Sequence, residues 1–446
     1  MVKEISFSGI RSALISTLGD PSGWDPVEYI YDGSSFKSIF TLPLLNYITP
    51  KPDIIIVIVL DTTVEERISS YSDLVEKVRR KYAGFISKET NLSCDQLKII
   101  VAPGAGRFQP RDIFFNFTGN LSDFHAYVMF ELSKLLAESD ADITIHLDLT
   151  HGINFMPSLT LSAIKKIMSI LALTRRSAKL KVYNAEPYRK NVTSKLNIHL
   201  VEDSLAIIEY DLVRLGAEGK CTPLKRYYRK PVHREEDLRT LISDCDKMKD
   251  ELNAFLSSVF NGLPLALYTF YPEVDRLGSI IEKIVNIWRE NVNVTSNGNE
   301  IFVKRLLSFE RDFTKLIQIW LIAKTLSLQR KRKVSYEELN SLRDNFFSKF
   351  SKKFDVMISR DLNRIKKAVE EGKKLYREWT KLRTVYGDHE KPKDFTSRDF
   401  LAHSGLEMNV TEVKYDGQSI MLQYAEDEAK DRVIEGCLDG LMKHSH

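Results

Sequence analysis

Through its first 200 residues the chain alternates short apolar runs with longer segments whose apolar residues recur every three or four positions. The runs predict strands at 12–17, 54–60, 97–102, 142–147 and 179–185. The periodic segments predict helices at 64–82, 121–138 and 157–175, with Pro157 in a first turn, where its missing N–H costs nothing. Strands apolar on both faces and joined by helices make an α/β domain on a mostly parallel sheet. Residues 197–201 are expected as a last edge strand.

The pattern changes after about Ser204. A basic, aromatic-laced stretch follows, Lys220, then Lys225-Arg226-Tyr227-Tyr228-Arg229-Lys230, Pro231 and His233-Arg234, and reads as a connector. Beyond Glu236 the spacing is helical, as in Leu238, Leu241, Met248, Leu252 and Phe255, and again in Leu306, Phe309, Phe313, Leu316, Ile317 and Trp320. Asn297-Gly298-Asn299 and Lys391-Pro392-Lys393 read as loops between helices. Asp416-Gly417 reads as the turn of a small hairpin, and 426–442 as a final helix. The expected architecture is α/β plus α: a sheet domain over 1–203, a connector over 204–245, and a helical domain with one small β-hairpin over 246–446.

Composition narrows the class without naming it. A chain of 446 residues can bury two cores, and 43% hydrophobic with 28% charged residues fits a globular protein. A net charge of +4 does not demand a nucleic-acid partner. Met1-Val2-Lys3-Glu4 leads into a mixed polar segment rather than an apolar signal core, and the dense run 54–60 is far short of the roughly 20 residues of a membrane helix, so a cytoplasmic protein without a membrane partner is expected. Cys94, Cys221, Cys245 and Cys437 have neither Cys-x-x-Cys nor zinc-ligand spacing.

In an open parallel sheet, ligands sit at the carboxyl ends of the strands. Three such ends carry suitable loops: Ser16-Thr17-Leu18-Gly19-Asp20-Pro21, Pro103-Gly104-Ala105-Gly106-Arg107-Phe108, and Asp148-Leu149-Thr150-His151-Gly152-Ile153-Asn154. The third brings a hydroxyl, an imidazole, an amide and a helix N-terminus together, a set suited to a phosphate or a base edge. None is a dinucleotide or Walker fingerprint, which disfavours an NAD or ATP enzyme. Ordinary β-to-α turns use the same residue types, and His146, Asp148 and His151 form an alternative metal set without a further carboxylate or histidine segment to complete it.

The helical half carries a different chemistry. Arginine and histidine separated by four to six residues occur three times, as Arg226 with His233, Arg383 with His389, and Arg398 with His403. Histidine exchanges protons near neutral pH, arginine grips phosphate through a permanently charged fork, and RNA brings its own nucleophile in the 2′-hydroxyl. The Arg398 pair stands apart because Thr396 or Ser397 can cap a helix, Phe400, Leu401 and Ala402 can bury, and Gly405 can end it. Five positions on a regular helix is a turn of about 140°, so the two side chains do not share a face. A two-fold contact would bring two copies to one seam. The alternative is a core histidine beside a surface arginine paired with Asp399 or Asp394; the basic runs 330–333 and 360–383 suit an RNA backbone or a solvated helix face.

The combination of an opening Ser16-Thr17-Leu18-Gly19-Asp20 strand end, Thr150-His151-Gly152, Phe260-Asn261-Gly262-Leu263-Pro264-Leu265 and Arg398-x4-His403 resembles the CARF–HEPN ribonucleases of type III CRISPR systems, nearest to the crenarchaeal Csx-type members, over essentially the whole chain. The resemblance implies a Rossmann-like sensor domain and a helical nuclease domain. It implies an endoribonuclease that cuts single-stranded RNA without metal or cofactor, as a homodimer or an oligomer of dimers, when a cyclic oligoadenylate, expected to be the tetra-adenylate, binds the paired sensor domains. Carried over by position, His403 is the general base or acid, Arg398 holds the scissile phosphate, and Asp399 orients Arg398. Thr17, Leu18, Gly19, Asp20, Thr150, His151, Gly152 and Asn154 match the ligand loops. The competing expectation is a nucleotide sensor that regulates transcription or binds RNA through 220–234 without cutting; in a third, the Thr150-His151-Gly152 loop degrades the ligand.

Overall fold

The computed structural model describes residues 9–90, 92, 96–137, 142–228, 231–371, 375–388, 394–426 and 429–442. Met1 to Glu4, Cys94, Arg229, Lys230, His389 and the 391–393 loop lie outside the described residues. The other three cysteines are buried.

The chain forms two compact units, each discontinuous in sequence: Met1–Glu209, Pro223–Arg239 and Ile281–Leu321 make the first, and Tyr210–Thr222, Thr240–Ile280 and Ile322–His446 the second. The first opens with β1 (Ser12–Leu18), β2 (Val27–Tyr31), β3 (Ser34–Ser38), β4 (Ile54–Leu60), α1 (Tyr71–Glu89), β5 (Leu97–Ala102), β6 (Gly106–Phe108), β7 (Phe114–Thr118), α2 (Ser122–Leu136), β8 (Ile143–His151), α3 (Phe155–Leu171), β9 (Ala178–Ala185) and β10 (Lys195–Leu205). Eight of the strands form one sheet in the order β3-β2-β10-β9-β8-β1-β4-β5. Its centre is parallel, with β1 between β8 and β4, and every residue of β1 and β4 is buried.

Three expectations change here. β10 is an interior strand between β9 and β2, not an edge, because β2 and β3 form a hairpin that covers it. The first helix begins at Tyr71 rather than at 64, since Asp61–Thr63 makes a buried turn and the Ser70 side chain caps the helix by accepting from the Asp73 N–H. The 103–108 loop is not open: Gly106–Phe108 pairs with β7 as a strand.

The rest of the chain comprises α4 (Glu235–Asn261), α5 (Pro264–Thr269), α6 (Val274–Glu290), α7 (Arg311–Leu326), α8 (Tyr336–Leu342), α9 (Ser348–Phe350), α10 (Lys352–Glu371), α11 (Leu382–Val385), α12 (Ser397–Ala402) and α13 (Ala429–Asp439). Its strands are β11 (Leu224–Arg226), β12 (Val292–Asn297), β13 (Glu300–Arg305), β14 (Leu307–Phe309), β15 (Val334–Ser335), β16 (Tyr376–Lys381), β17 (Thr411–Tyr415) and β18 (Ile420–Tyr424). The α/β plus α reading holds, with more strand in the later part than one hairpin. The second unit carries a four-stranded sheet, β15-β18-β17-β16, which includes the expected Asp416-Gly417 hairpin. Asn297-Gly298-Asn299 does not join helices; it turns β12 into β13, and that hairpin joins β7 and β6 within the first unit. Part of the expected connector is also built into the first unit, where β11 pairs with β14. No helix among the described residues is long and apolar enough to cross a membrane.

The inserted hairpin is anchored by charge. Arg305, 1% exposed, pairs with Asp61, which is fully buried, and its Nη1 donates to the Gly104 carbonyl at 2.6 Å. Asp61 also accepts from the Gly104 N–H at 2.8 Å and the Tyr71 hydroxyl at 3.3 Å. Burial pushes the Asp61 carboxyl up, against the pull of Arg305. Breaking a buried pair strands a charge and costs about 3–5 kcal/mol. Arg305→Met is expected to lose about that much in chemical denaturation. Adding Asp61→Asn recovers part of it, because the stranded charge disappears while the amide oxygen still accepts from Gly104.

Candidate functional site

In the first unit the two loops matched by position are neighbours because β1 and β8 are adjacent and parallel, with Ser16 opposite Asp148 and Leu18 opposite His151. Asp148, 1% exposed, organises them. One oxygen accepts from the Ser16 hydroxyl at 3.0 Å and from Thr41; the other accepts from the Thr150 N–H at 3.1 Å and hydroxyl at 2.7 Å. The Thr150 oxygen in turn accepts from the Ala185 N–H at 3.1 Å, and the Gly19 N–H donates to the His151 carbonyl at 2.6 Å.

The His151 ring stacks on Trp24 with centroids 4.6 Å apart, and its Nε2 lies 3.2 Å from the Tyr29 hydroxyl. Burial lowers the His151 pKa, against the opposing charge of Asp148. A Cβ at Gly152 would fall 2.6 Å from both the Thr17 hydroxyl and the Pro157 ring, so only glycine fits. Thr17 is fully buried, and its hydroxyl lacks a hydrogen-bond partner among the described residues. Asn154 occupies the N-cap position of α3 at φ 29°, without a capping hydrogen bond from its side chain. Burial opposes ionisation of Asp20, but hydrogen bonds from Lys81 at 2.9 Å and Ser22 at 2.8 Å outweigh it and hold the carboxyl below its usual range.

Thr17, Gly19, Asp20, Thr150, His151, Gly152 and Asn154 therefore come from two adjoining strand-end loops. Leu18 is also there, but its side chain is fully buried, leaving only its backbone for a ligand. The Gly104 loop is excluded, since its N–H and carbonyl are taken by Asp61 and Arg305. The metal set of His146, Asp148 and His151 does not converge: His146 Nδ1 lies 2.9 Å from the Tyr183 hydroxyl in the core, and Asp148 is filled by four donors. Among the described residues no group of three or more histidines, cysteines and carboxylates could hold a metal ion.

Sequence reasoning missed Trp24, Tyr29 and Thr41. Asp32-Gly33 carried the signal: both residues have positive φ, 49° and 76°, the two-residue turn of the β2–β3 hairpin that brings Tyr29 to His151.

In the second unit, α12 is six residues long and is capped by Thr396, whose hydroxyl accepts from the Asp399 N–H at 3.1 Å. Arg398 and Asp399 are exposed on it. His403 stands at its C-terminal cap, its N–H donating to the Asp399 carbonyl at 3.0 Å. Ser404 and Gly405 then turn the chain at φ 52° and 74°, and the Tyr424 hydroxyl donates to the Gly405 carbonyl at 2.9 Å. The His403 side chain is 40% exposed, with Nδ1 3.2 Å from an oxygen of Asp361 on α10, whose side chain is 6% exposed. Arg360 reaches Asp361 at 3.1 and 3.3 Å and donates to the Ala402 carbonyl at 2.8 Å.

The other two arginine and histidine pairs are otherwise engaged. Arg226 is ion-paired with Glu235, and His233 Nε2 lies 2.9 Å from the Asn293 side-chain oxygen. Arg383 bonds Asn409 at 3.4 Å, and its partner His389 lies outside the described residues. Asp361 was missed because it sits inside a run read as basic. Its signal was a carboxylate on the apolar stripe of Phe354, Ile358, Leu362, Ile365 and Val369.

Residues 13–187 match the family model described as "CRISPR system endoribonuclease Csx1, CARF domain", and residues 351–426 match its HEPN-domain counterpart. A CRISPR system endoribonuclease Csx1 from Methanocaldococcus jannaschii is 31% identical over 416 residues, which is 91% of this chain and 87% of that protein. The chain belongs to the Csx1 family of CRISPR system endoribonucleases. The loops gathered around Asp148 fall within the CARF match, and Asp361, Arg398 and His403 fall within the HEPN match.

Histidines away from these sites set a pH dependence of stability. Burial pushes His125 and His146 down to about 4. Unfolded, each titrates near 6.5, so the unfolded chain binds more protons below that value. Stability present above pH 6.5 is then lost as pH falls toward 4. Between pH 7 and pH 5 each histidine contributes a loss of up to about 2 kcal/mol, which Asp123, pushed up to about 6 by burial, partly offsets. Chemical denaturation at the two pH values should therefore show a smaller loss on acidification in His146→Gln than in wild type.

Proposed function

We propose that this Csx1-family chain is a metal-independent endoribonuclease for single-stranded RNA, working as a homodimer that cyclic oligoadenylate, foremost cyclic tetra-adenylate, switches on. The observation that carries the reading is a half-exposed imidazole, His403, closing a short helix that opens with an exposed Arg398, inside the HEPN match.

The 2′-hydroxyl attacks the adjacent phosphorus; the new O2′–P bond forms as the P–O5′ bond breaks. His403 of one copy takes the 2′-hydroxyl proton, and the protonated His403 of the other gives one to the leaving 5′-oxygen. Arg398 holds the phosphate and offsets the charge that grows on it, and Asp399 orients Arg398. The products are a 2′,3′-cyclic phosphate and a 5′-hydroxyl. Two copies supply the site because Arg398 lies in the first turn of the short helix and His403 at its C-cap, so a two-fold contact is what brings a second arginine and a second histidine to the same phosphate.

The activator takes the site organised by Asp148. The strand end at Thr17 to Asp20, the Gly152 turn and the N-terminal end of α3 at Asn154 meet its phosphate and base edges, with Thr150 and His151 beside them. It shifts the enzyme only by binding the active arrangement more tightly than the inactive one.

A sensor that binds RNA through 220–234 without cutting has less support. Among its described residues, Lys225, Arg226 and Arg234 are matched by Glu310, Glu235 and Glu290, which reduces the positive charge those three offer RNA.

The test is cleavage of single-stranded RNA in EDTA with cyclic tetra-adenylate. His403→Ala and Arg398→Ala should each lose on the order of 10² to 10³ in rate. Cleavage that survives His403→Ala overturns the assignment, and a requirement for added Mg²⁺ or Mn²⁺ overturns the metal-free mechanism. Calorimetric titration of the full-length His403→Ala protein with cyclic oligoadenylates tests the switch; no binding to any ring size removes it.

A further inference from the structure

We infer that Asp361 is a positioning residue for cleavage: it accepts the Nδ1 proton of His403 and so keeps Nε2 as the nitrogen that exchanges a proton with RNA. The inference rests on the role given to His403 above.

A neutral imidazole carries one ring proton, and its partner decides which nitrogen holds it. A carboxylate only accepts, so an Asp361 oxygen 3.2 Å from Nδ1 places the proton there and leaves Nε2 with its lone pair. After Nε2 takes the 2′-hydroxyl proton, both ring nitrogens are protonated and the imidazolium faces the Asp361 charge.

The packing of α10 gives no other reason for a carboxylate at this position. Its stripe neighbours Ile358, Leu362 and Ile365 are all fully buried, and burying an unmatched carboxylate among them is strongly unfavourable. Asp361 is matched instead by two groups directed at the site, His403 and Arg360. Arg360 also donates to the carbonyl of Ala402, the residue before His403. One dipeptide of α10 thus holds both the ring and the backbone that carries it. Neither residue lies within the Arg-x4-His motif.

The test compares wild type, Asp361→Asn, Asp361→Glu and His403→Ala as full-length protein with activator and single-stranded RNA, alongside ¹⁵N spectra of the histidine rings. An asparagine amide can turn its NH₂ toward Nδ1 and move the ring proton to Nε2. Asp361→Asn should lower kcat on the order of 10²-fold with KM changed by less than about threefold. The His403 signals should move from the Nδ1–H to the Nε2–H tautomer. Asp361→Glu, which keeps a carboxylate, should recover at least about tenfold of that loss.

If His403→Ala is inactive and Asp361→Asn keeps wild-type kcat, or gains activity, this inference fails while the nuclease reading stands. If His403→Ala still cleaves, the nuclease reading itself fails. An equal loss in the Asn and Glu variants with the His403 tautomer unchanged would reduce Asp361 to a structural role and overturn the inference.

Discussion

The first unit depends on one buried charge pair. Asp61 lies just past β4, at the carboxyl edge of the parallel sheet, and Arg305 ends β13, more than two hundred residues later in the chain. Each ion removed from water must find partners or destabilise the fold, and here the strand end, the Gly104 turn and Tyr71 of α1 supply them, although the Arg305 Nε finds none among the described residues. The chain returning through 281–321 supplies the guanidinium. The discontinuous make-up of the unit follows from that requirement together with the pairing of β13 on β7.

The same device recurs where function is proposed. Asp148 in the first unit and Asp361 in the second are buried carboxylates, each surrounded by donors from separate elements. A carboxylate in a low-dielectric site fixes the direction of every group that bonds to it, because any donor that turns away leaves charge unmatched. Asp148 locks the loops that carry Thr17 and Thr150; Asp361 locks the ring of His403. In both places the polar atoms left facing outward belong to other residues.

That division explains what sequence reasoning reached. The central strands of the first unit and its helices α2 and α3 lie within a few residues of their predicted bounds, because an all-apolar run of seven residues or a repeating apolar stripe is a local property. The Thr396 cap, the turn at Gly405 and the Asp416-Gly417 hairpin were legible for the same reason. Strand order was not local. Nothing within 195–205 distinguishes an edge strand from one covered by β2, and nothing within 292–305 says that its hairpin joins β7 rather than a helical neighbour.

By itself the sequence determined the central strands and helices of the first 200 residues, the cap and turn around the 397–402 helix and the 416–417 hairpin, and it nominated Arg398, His403 and the two strand-end loops for chemistry, since hydrophobic period, turn geometry and side-chain protonation are properties of neighbouring residues. Tertiary structure alone decided which polar groups those residues meet: Asp148 beneath the loops, Trp24 and Tyr29 against His151, Asp361 behind His403. A carboxylate acquires its role from donors brought to it across the fold, and such partners leave no periodic trace in the chain.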